Sequence, residues 1–228
     1  AATNATIPQL AAKRHSRKMI FDGSKYHVKI PHNSKLAVTG DITLSAWIKT
    51  SATSGRIITK EQTTAGYVGA GMLDMSGGAI RFRRGNASNS ESDTTTSATY
   101  NNNAWHHVVA TAAGSAWTIY VDGSSVKTAT DSETVADDGG ALYIGDRQNN
   151  DVAFKGSIDE CGIWNKALDS AAVTALYNSG KPLDARIDSG NYDYQAALVG
   201  YWRNNGSSVS GSWNDLSGNG SNGIVPMQ

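Results

Sequence analysis

The stretch WHHVVATAAGSAWTIYVDG, residues 105–123, carries the clearest local structural signal in the chain. Its first part, 105–111, is strand-like, and 117–121 follow the period-two alternation of a half-buried strand. The Asp122-Gly123 pair that comes next is a strong signal for a two-residue hairpin. The stretch therefore predicts consecutive antiparallel strands, with a further strand returning after the hairpin.

Similar short segments recur on both sides of this stretch. They are 19–21, 26–30, 42–49, 56–60, 67–75, 79–84, 142–144, 154–164 and 198–202. Ser76-Gly77-Gly78 joins two of them in a predicted hairpin, and 86–103 is either a long polar loop or a weakly patterned edge. Many short strands separated by Gly and Asn turns predict an all-β fold, an antiparallel two-sheet β-sandwich of the jelly-roll kind.

One short helix is expected near the end of the strand series. Asp169 or Ser170 can cap a helix over 171–178, in which Val173 and Leu176 share one face. Gly180 suits the position just after the helix. A lone helix among strands is expected to cover one end of the sandwich.

Composition and charge exclude several classes of protein. Of the 228 residues, 39% are hydrophobic and 18% charged, below the roughly 45–50% and about 25% usual in globular chains. The net charge of zero argues against a nucleic-acid partner, since such binders carry a basic face. No stretch is apolar over the ~18 residues of a membrane span. Cys161 is the single cysteine, so no internal disulfide can form.

The sequence predicts two parts of the chain, an N-terminal arm at 1–18 and a domain at 19–228. The arm holds a basic cluster of Lys13, Arg14, Arg17 and Lys18. It is either a solvated segment or one that docks on a neighbouring subunit, which would make the chain a homo-oligomer or an assembly protein.

Four segments in this order resemble the laminin-G-like branch of the concanavalin A-like lectin/glucanase superfamily. They are 21–30, 42–49, 105–123 and 154–177, and the resemblance spans about two-thirds of the chain. The tail segments 198–202 and 215–223 look like the part that usually opens such a domain, an arrangement similar to laminin-G-like modules in structural proteins of marine phages. The resemblance implies a two-sheet jelly roll, glycan or protein ligands, and an extracellular or virion-surface location.

The resemblance also implies a calcium ion, Ca²⁺, at the rim. Asp22 in a glycine turn and Asp159 on a late strand match positions that often hold calcium in the resembled family. The alternative is that Asp22 caps its own turn while Asp159 pairs with a Lys or Arg. Both interpretations stay open at this point.

Ligand contacts are expected from aromatic rings and from an oxygen-rich loop, because sugar sites combine an apolar wall with a few polar groups. Trp213 and Tyr67 lie near Gly/Asn-rich loops, and Trp117 is ambiguous. Each ring could instead fasten a loop to the sandwich. The candidate loop residues are Asp146, Arg147, Asn149 and Asn150.

Catalysis is not expected, and no catalytic residue is predicted. Retaining glycosidases hold two carboxylates about 5–5.5 Å apart. The one candidate pair is Asp159-Glu160, and adjacent strand residues point to opposite faces of a sheet.

Three functions follow. The first is a non-catalytic recognition module that binds a glycan or a surface protein, with calcium as its candidate cofactor. The alternative is a virion decoration or tail protein acting in assembly and host adhesion. The second alternative is a glycoside hydrolase.

Overall fold

A computed structural model describes residues 18–24, 26–61, 68–86, 90–132, 134–137, 139–147, 152–203 and 212–225. Its strands are β1 (Met19–Asp22), β2 (Val28–Ile30), β3 (Ile42–Lys49), β4 (Gly55–Glu61), β5 (Val68–Ser76), β6 (Ala79–Gly85), β7 (Glu91–Thr99), β8 (Trp105–Ala113), β9 (Ala116–Val121), β10 (Ser124–Thr130), β11 (Leu142–Ile144), β12 (Lys155–Trp164), β13 (Leu198–Trp202), β14 (Ser212–Trp213) and β15 (Gly223–Ile224). The α-helix is α1 (Ser170–Tyr177), and single 3₁₀ turns lie at Ser34–Leu36, Asn178–Gly180 and Gln195–Ala197. Residues 1–17 of the predicted arm at 1–18 lie outside the described residues.

The strands form two antiparallel sheets that pack face to face, which confirms the predicted all-β sandwich. The first sheet has the order β1-β12-β3-β8-β9-β10, and β13 also pairs with β12. The second has the order β14-β15-β2-β11-β4-β5-β6-β7. Alternate side chains of both sheets point inward and form one apolar core, which includes Leu44, Ile58, Phe82, Val108 and Ile163.

The predicted hairpins are present, and their turns have the backbone angles that the residues suggest. Asp122 and Gly123 have φ values of 52° and 80°, as a turn whose twist matches the flanking strands requires. The polar segment predicted as a loop or an edge contains β7, the edge strand of the second sheet.

Helix α1 begins where the sequence indicates and packs in a different place from the one expected. The side chain of Asp169 accepts a hydrogen bond from the Ala172 backbone N–H at 2.8 Å and so caps the helix. Val173 and Leu176 pack on the outer face of the first sheet, where they join a second apolar cluster. The expectation that the helix covers one end of the sandwich is therefore wrong. No helix among the described residues has the length and apolarity of a membrane span.

The tail segment 215–221 covers the free edge of β13. One carboxylate oxygen of Asp215 accepts from the Tyr201 N–H at 3.0 Å and the other accepts from the Ser221 N–H at 3.0 Å. The side-chain amide of Asn219 donates to the carbonyls of Leu198 and Val199, both at 3.2 Å. Backbone groups that would otherwise offer a pairing edge are thus occupied by side chains.

Asp215→Ala tests this edge cover. The substitution leaves buried backbone N–H groups without an acceptor. Hydrogen bonds to a charged group contribute more to stability than bonds between neutral groups, so we expect the unfolding free energy to fall by about 3 kcal/mol. Urea denaturation followed by tryptophan fluorescence measures the loss. The control is Asn214→Ala, an exposed neighbour, expected to change stability by less than about 0.5 kcal/mol. Equal effects of the two substitutions would contradict the proposed cover.

Candidate functional site

Two of the predicted contact aromatics are core residues. Trp117 is 3% exposed and meets Phe82 edge-on, with ring centroids 5.0 Å apart. Trp213 is also 3% exposed and belongs to the same core. The expectation that these rings contact a ligand is corrected, because both point between the sheets. Tyr67, Asn149 and Asn150 lie outside the described residues.

The predicted calcium pair does not converge. Asp22 accepts from the backbone N–H and the hydroxyl of Ser24, at 2.9 and 2.8 Å, which is the turn-capping alternative. Asp22 lies opposite Lys155, whereas Asp159 is four residues further along β12, about 13 Å away at the rise of a strand. No group of three or more His, Cys, Asp or Glu side chains suited to a metal occurs in the described part of the chain. The pair does not fit one shared ion, and calcium binding elsewhere stays a prediction.

Asp146 and Arg147 lie at the end of β11, beside the second sheet. Asp146 is fully buried, and it accepts from the Val152 N–H at 3.3 Å. The Val152 carbonyl accepts in turn from the Arg56 N–H at 3.0 Å. Asp146 therefore fixes the base of its loop to β4. Arg147 is half-buried.

A charged network occupies the outer face of the second sheet nearby. Asp74 on β5 is fully buried and bonds the guanidiniums of Arg56, Arg81 and Arg83. Burial by itself would raise the pKa of Asp74, but the surrounding guanidiniums outweigh it and lower that pKa. One buried carboxylate is thus shared among three guanidiniums, and the buried Nε–H groups of Arg56 and Arg83 have no hydrogen-bond partner among the described residues.

The Asp159-Glu160 pair departs from regular strand geometry. A β-bulge interrupts the pairing of β12 with β3, and Glu160 adopts a φ of 53°. Ile158 and Cys161 face the core, while Asp159 lies opposite Trp47 and Glu160 contacts Tyr201, both on the outer side. The expectation that the two carboxylates point to opposite faces is wrong, because the bulge adds a residue to the alternation.

The Glu160 carboxylate is enclosed between the first sheet and the elements that cover its outer face, α1 and the segment that leads into β13. The Tyr201 hydroxyl donates to one of its oxygens, and the Arg203 guanidinium meets the other at 2.9 Å. Burial, and then the neighbouring Asp159 carboxylate, raise the pKa of Glu160 to about 7. The cavity beside it measures about 10 Å³, room for about one water molecule. A sugar cannot reach this acid.

Glu160→Gln should make stability less dependent on pH. Because the pKa of Glu160 is raised on folding, ionisation opposes the folded state, and stability falls as pH rises from about 4.5 to about 7. We expect the unfolding free energy of Glu160→Gln, relative to the native chain, to rise across this window by about 3 kcal/mol. Urea melts at pH 4.5, 6 and 7.5 measure it, with Asp193→Asn, at an exposed aspartate, as the surface baseline. A constant difference across the three pH values would contradict the buried-acid assignment.

An open groove runs along α1, at the turn of the β9–β10 hairpin. This helix groove has a volume of about 600 Å³. It is lined by Asp122, Gly123, Ser124, Ser170, Ala171, Thr174, Ala175, Tyr177, Asn178, Ser179 and Asn191. The hairpin and the helix are joined by the Thr174 hydroxyl, which donates to the Gly123 carbonyl at 2.9 Å, so the two walls are held in a fixed relation.

Tyr177 supplies the aromatic surface of the helix groove. Its ring is half-buried and stacks on Trp47, with centroids 5.8 Å apart and an interplanar angle of 19°. A Cβ at Gly123 would come within 3.0 Å of the ring, so the glycine lets the hairpin turn pack closely against Tyr177. The Tyr177 hydroxyl has no hydrogen-bond partner among the described residues. The ring is thus rigid and its hydroxyl is available.

Polar groups surround the ring with both donors and acceptors. The Asp122 carboxylate accepts from the His107 N–H at 2.9 Å and bonds the His106 ring at 2.8 Å. Burial would raise the pKa of Asp122, but the His106 hydrogen bond outweighs it and lowers that pKa. Asn178 and Asn191 add exposed amides. An aromatic ring with amides, hydroxyls and a carboxylate is the combination that a sugar ring requires.

Sequence reasoning missed this groove. It placed Asp122 in a hairpin turn and did not select Tyr177 as a contact residue, and 54 residues separate the two in the chain. The available signal was the helix that ends in Tyr-Asn-Ser-Gly, a run of polar and small residues that leaves its last aromatic half-exposed.

Comparison with known proteins agrees with the architecture. Residues 22–174 match the laminin-G family described as the concanavalin A-like lectin/glucanases superfamily. The chain belongs to this superfamily. No curated protein sequence matches it at a significant level.

Several solved structures from different organisms have a fold similar to that of this chain. A candidate carbohydrate-binding protein from Bacteroides ovatus superposes with a TM-score of 0.66 at 17% identity, over 92% of this chain and 59% of that protein. Mouse laminin alpha1 domains LG4-5 give 0.54 at 17% identity, over 75% and 45%. Botulinum neurotoxin type C, whose cell entry depends on two ganglioside molecules, gives 0.53 at 17% identity, over 67% and 39%. Identities this low show a shared fold.

Proposed function

We propose that the chain is a non-catalytic recognition module that binds glycans in the helix groove. The observation that carries the proposal is the Tyr177 ring, stacked on Trp47 and bordered by the Asp122 carboxylate and the amides of Asn178 and Asn191. Sugars present apolar ring faces and hydroxyls that donate and accept, and the groove offers matching groups.

The comparisons support the same class of function. Among the fold relatives, one is described as a candidate carbohydrate-binding protein and another enters cells through interaction with gangliosides, and both kinds of ligand contain sugar. A fold does not fix a function, so the proposal rests on the groove and takes the relatives as support. An extracellular or cell-surface location follows from such a ligand. A virion role and assembly through the arm stay predictions.

A binding role also suits the enclosed acid pair. A glycoside hydrolase must hold its acid and its second carboxylate against the substrate. Here the outer acids Asp159 and Glu160 lie under α1 and the segment that leads to β13, beside a cavity of about 10 Å³. The helix groove itself has one carboxylate, Asp122, which is committed to two histidine contacts.

Tyr177→Phe combined with Asn191→Ala tests the site. The pair removes one hydroxyl and one amide that have no described protein partner, so the fold should be retained while glycan binding weakens about tenfold. A printed array of neutral and acidic oligosaccharides gives the measurement. Tyr26→Phe, at an exposed tyrosine that does not line the helix groove, serves as the matched control. A native chain silent on the array, or a double variant that binds as the native chain does, would contradict the proposal.

Calcium is tested on the same array by adding EDTA. If calcium serves as cofactor, as the family resemblance implies, EDTA should abolish binding and added calcium should restore it. A signal unchanged by EDTA assigns recognition to side chains alone and removes calcium from the proposal.

A further inference from the structure

A second open groove lies at the opposite end of the sandwich. This end groove measures about 620 Å³. It is lined by Ser34, Lys35, Ala37, Val38, Thr39, Gly40, Asp41, Asn165, Gln195, Ala196, Leu198, Val199, Ser217 and Asn219. Two of its four contributing segments, 195–199 and 217–219, lie beyond the part of the chain that matches the family. The groove is therefore formed where the tail, outside the matched residues, meets the matched part of the jelly roll.

The floor of the end groove is held by a chain of hydrogen bonds. The Asn219 amide donates to the carbonyls of Leu198 and Val199, and its oxygen accepts from the Lys35 ammonium at 2.6 Å. The Asn33 amide in turn donates to the Ser221 hydroxyl at 2.9 Å. These bonds fix the loop 31–41 against the tail, so the groove exists before a ligand arrives.

Two amides border the groove with their side chains unused. The Asn165 backbone N–H donates to the Ala197 carbonyl at 3.0 Å, and the Gln195 N–H donates to the Asp188 carboxylate at 2.9 Å. The backbone of each residue is thus anchored. Their side chains are exposed, and neither has a hydrogen-bond partner in the described ranges. Each offers one acceptor and two donor hydrogens.

We infer that the end groove is a second binding site, selective for neutral oligosaccharides. Side-chain amides match sugar hydroxyls because both donate and accept. Lys35 and Asp41 contribute one charge of each sign, so the lining carries no net charge that would favour an acidic ligand. Val38, Leu198 and Val199 border the groove, but their side chains are buried in the apolar clusters, so the groups that the groove offers to a ligand are mainly polar.

The two grooves share no residue and face different ends of the molecule. The helix groove lies beside His106 of β8. The end groove begins at Asp41, and the next residue, Ile42, pairs with Ala112 of the same strand. Six residues of β8 separate those levels, about 20 Å at the rise of a strand. One chain can therefore hold two glycans at once and bridge them. Bridging rests on the proposed function of the helix groove, whereas binding in the end groove does not.

The decisive variant is Asn165→Ala with Gln195→Ala. It removes both free amides and leaves their backbone bonds in place. On the oligosaccharide array, we expect this variant to lose at least tenfold in signal for a set of neutral glycans. It should keep the glycans that Tyr177→Phe/Asn191→Ala loses. Asn214→Ala, an exposed asparagine on the tail outside both grooves, is the matched control.

A second readout is the cross-linking of two bead populations, one coated with the glycans that the helix-groove variant loses and one with the glycans that the end-groove variant loses. A native chain that light scattering shows to be monomeric should join the two populations, and each groove variant should bind one population without cross-linking.

The outcomes separate the two proposals. If the end-groove variant gives the native array profile, the second site is refuted and the helix groove stands. If that variant loses every glycan while the helix-groove variant loses none, the end groove stands and the function proposed for the helix groove fails. A silent native chain refutes both.

Discussion

The central strands of the first sheet, β12, β3 and β8, are buried on both faces, and the rest of the structure follows from this constraint. One face packs on the second sheet, and the other is covered by α1 and by the segment that leads into β13. Every residue of β3 except the last is buried as a result. A sheet covered on both sides leaves no water for its polar side chains, so each must find a partner inside the protein.

The polar groups under the cover meet this requirement in pairs. Ser45 bonds the ring of His107 at 2.9 Å, and the Trp164 indole donates to the Tyr192 hydroxyl, also at 2.9 Å. Glu160 reaches Tyr201 and Arg203 because the bulge in β12 turns it outward. The same cover that satisfies these groups also closes the space around them, which separates this face from the open carboxylate cleft of a hydrolase.

The cover has two consequences for recognition. Its helix stands against the β9–β10 hairpin and leaves the helix groove between them, with Tyr177 held by the aromatic stack beneath. Its tail returns to cap β13, and Asn219, one of the residues that cap this edge, also lines the end groove. Both candidate grooves are thus formed by elements that cover the first sheet, and both lie on segments whose backbones are fixed by hydrogen bonds. Such preorganised grooves bind with little loss of conformational entropy.

The sequence by itself determined the strands, the hairpin turns, the start of α1 and the sandwich architecture. These depend on neighbours in the chain: alternation over 42–49, the Asp122-Gly123 turn, and the Asp169 cap. The resemblance to laminin-G-like domains was likewise readable from local motifs, and the match over 22–174 confirms it. Trp117 and Trp213 show the limit, because a ring that follows a loop can face either the solvent or the core.

Only the tertiary structure decided where the open surfaces lie. The bulge at Glu160 changes which face a carboxylate takes, and one inserted residue is invisible to a period-two pattern. The helix groove joins residues about 50 positions apart, and the end groove joins Lys35 to Asn219, 184 positions apart. Local sequence determines where the chain forms strands and turns. The width and position of a groove depend on the distance between segments that are far apart in sequence, and that distance is set by how the sheets and their cover pack.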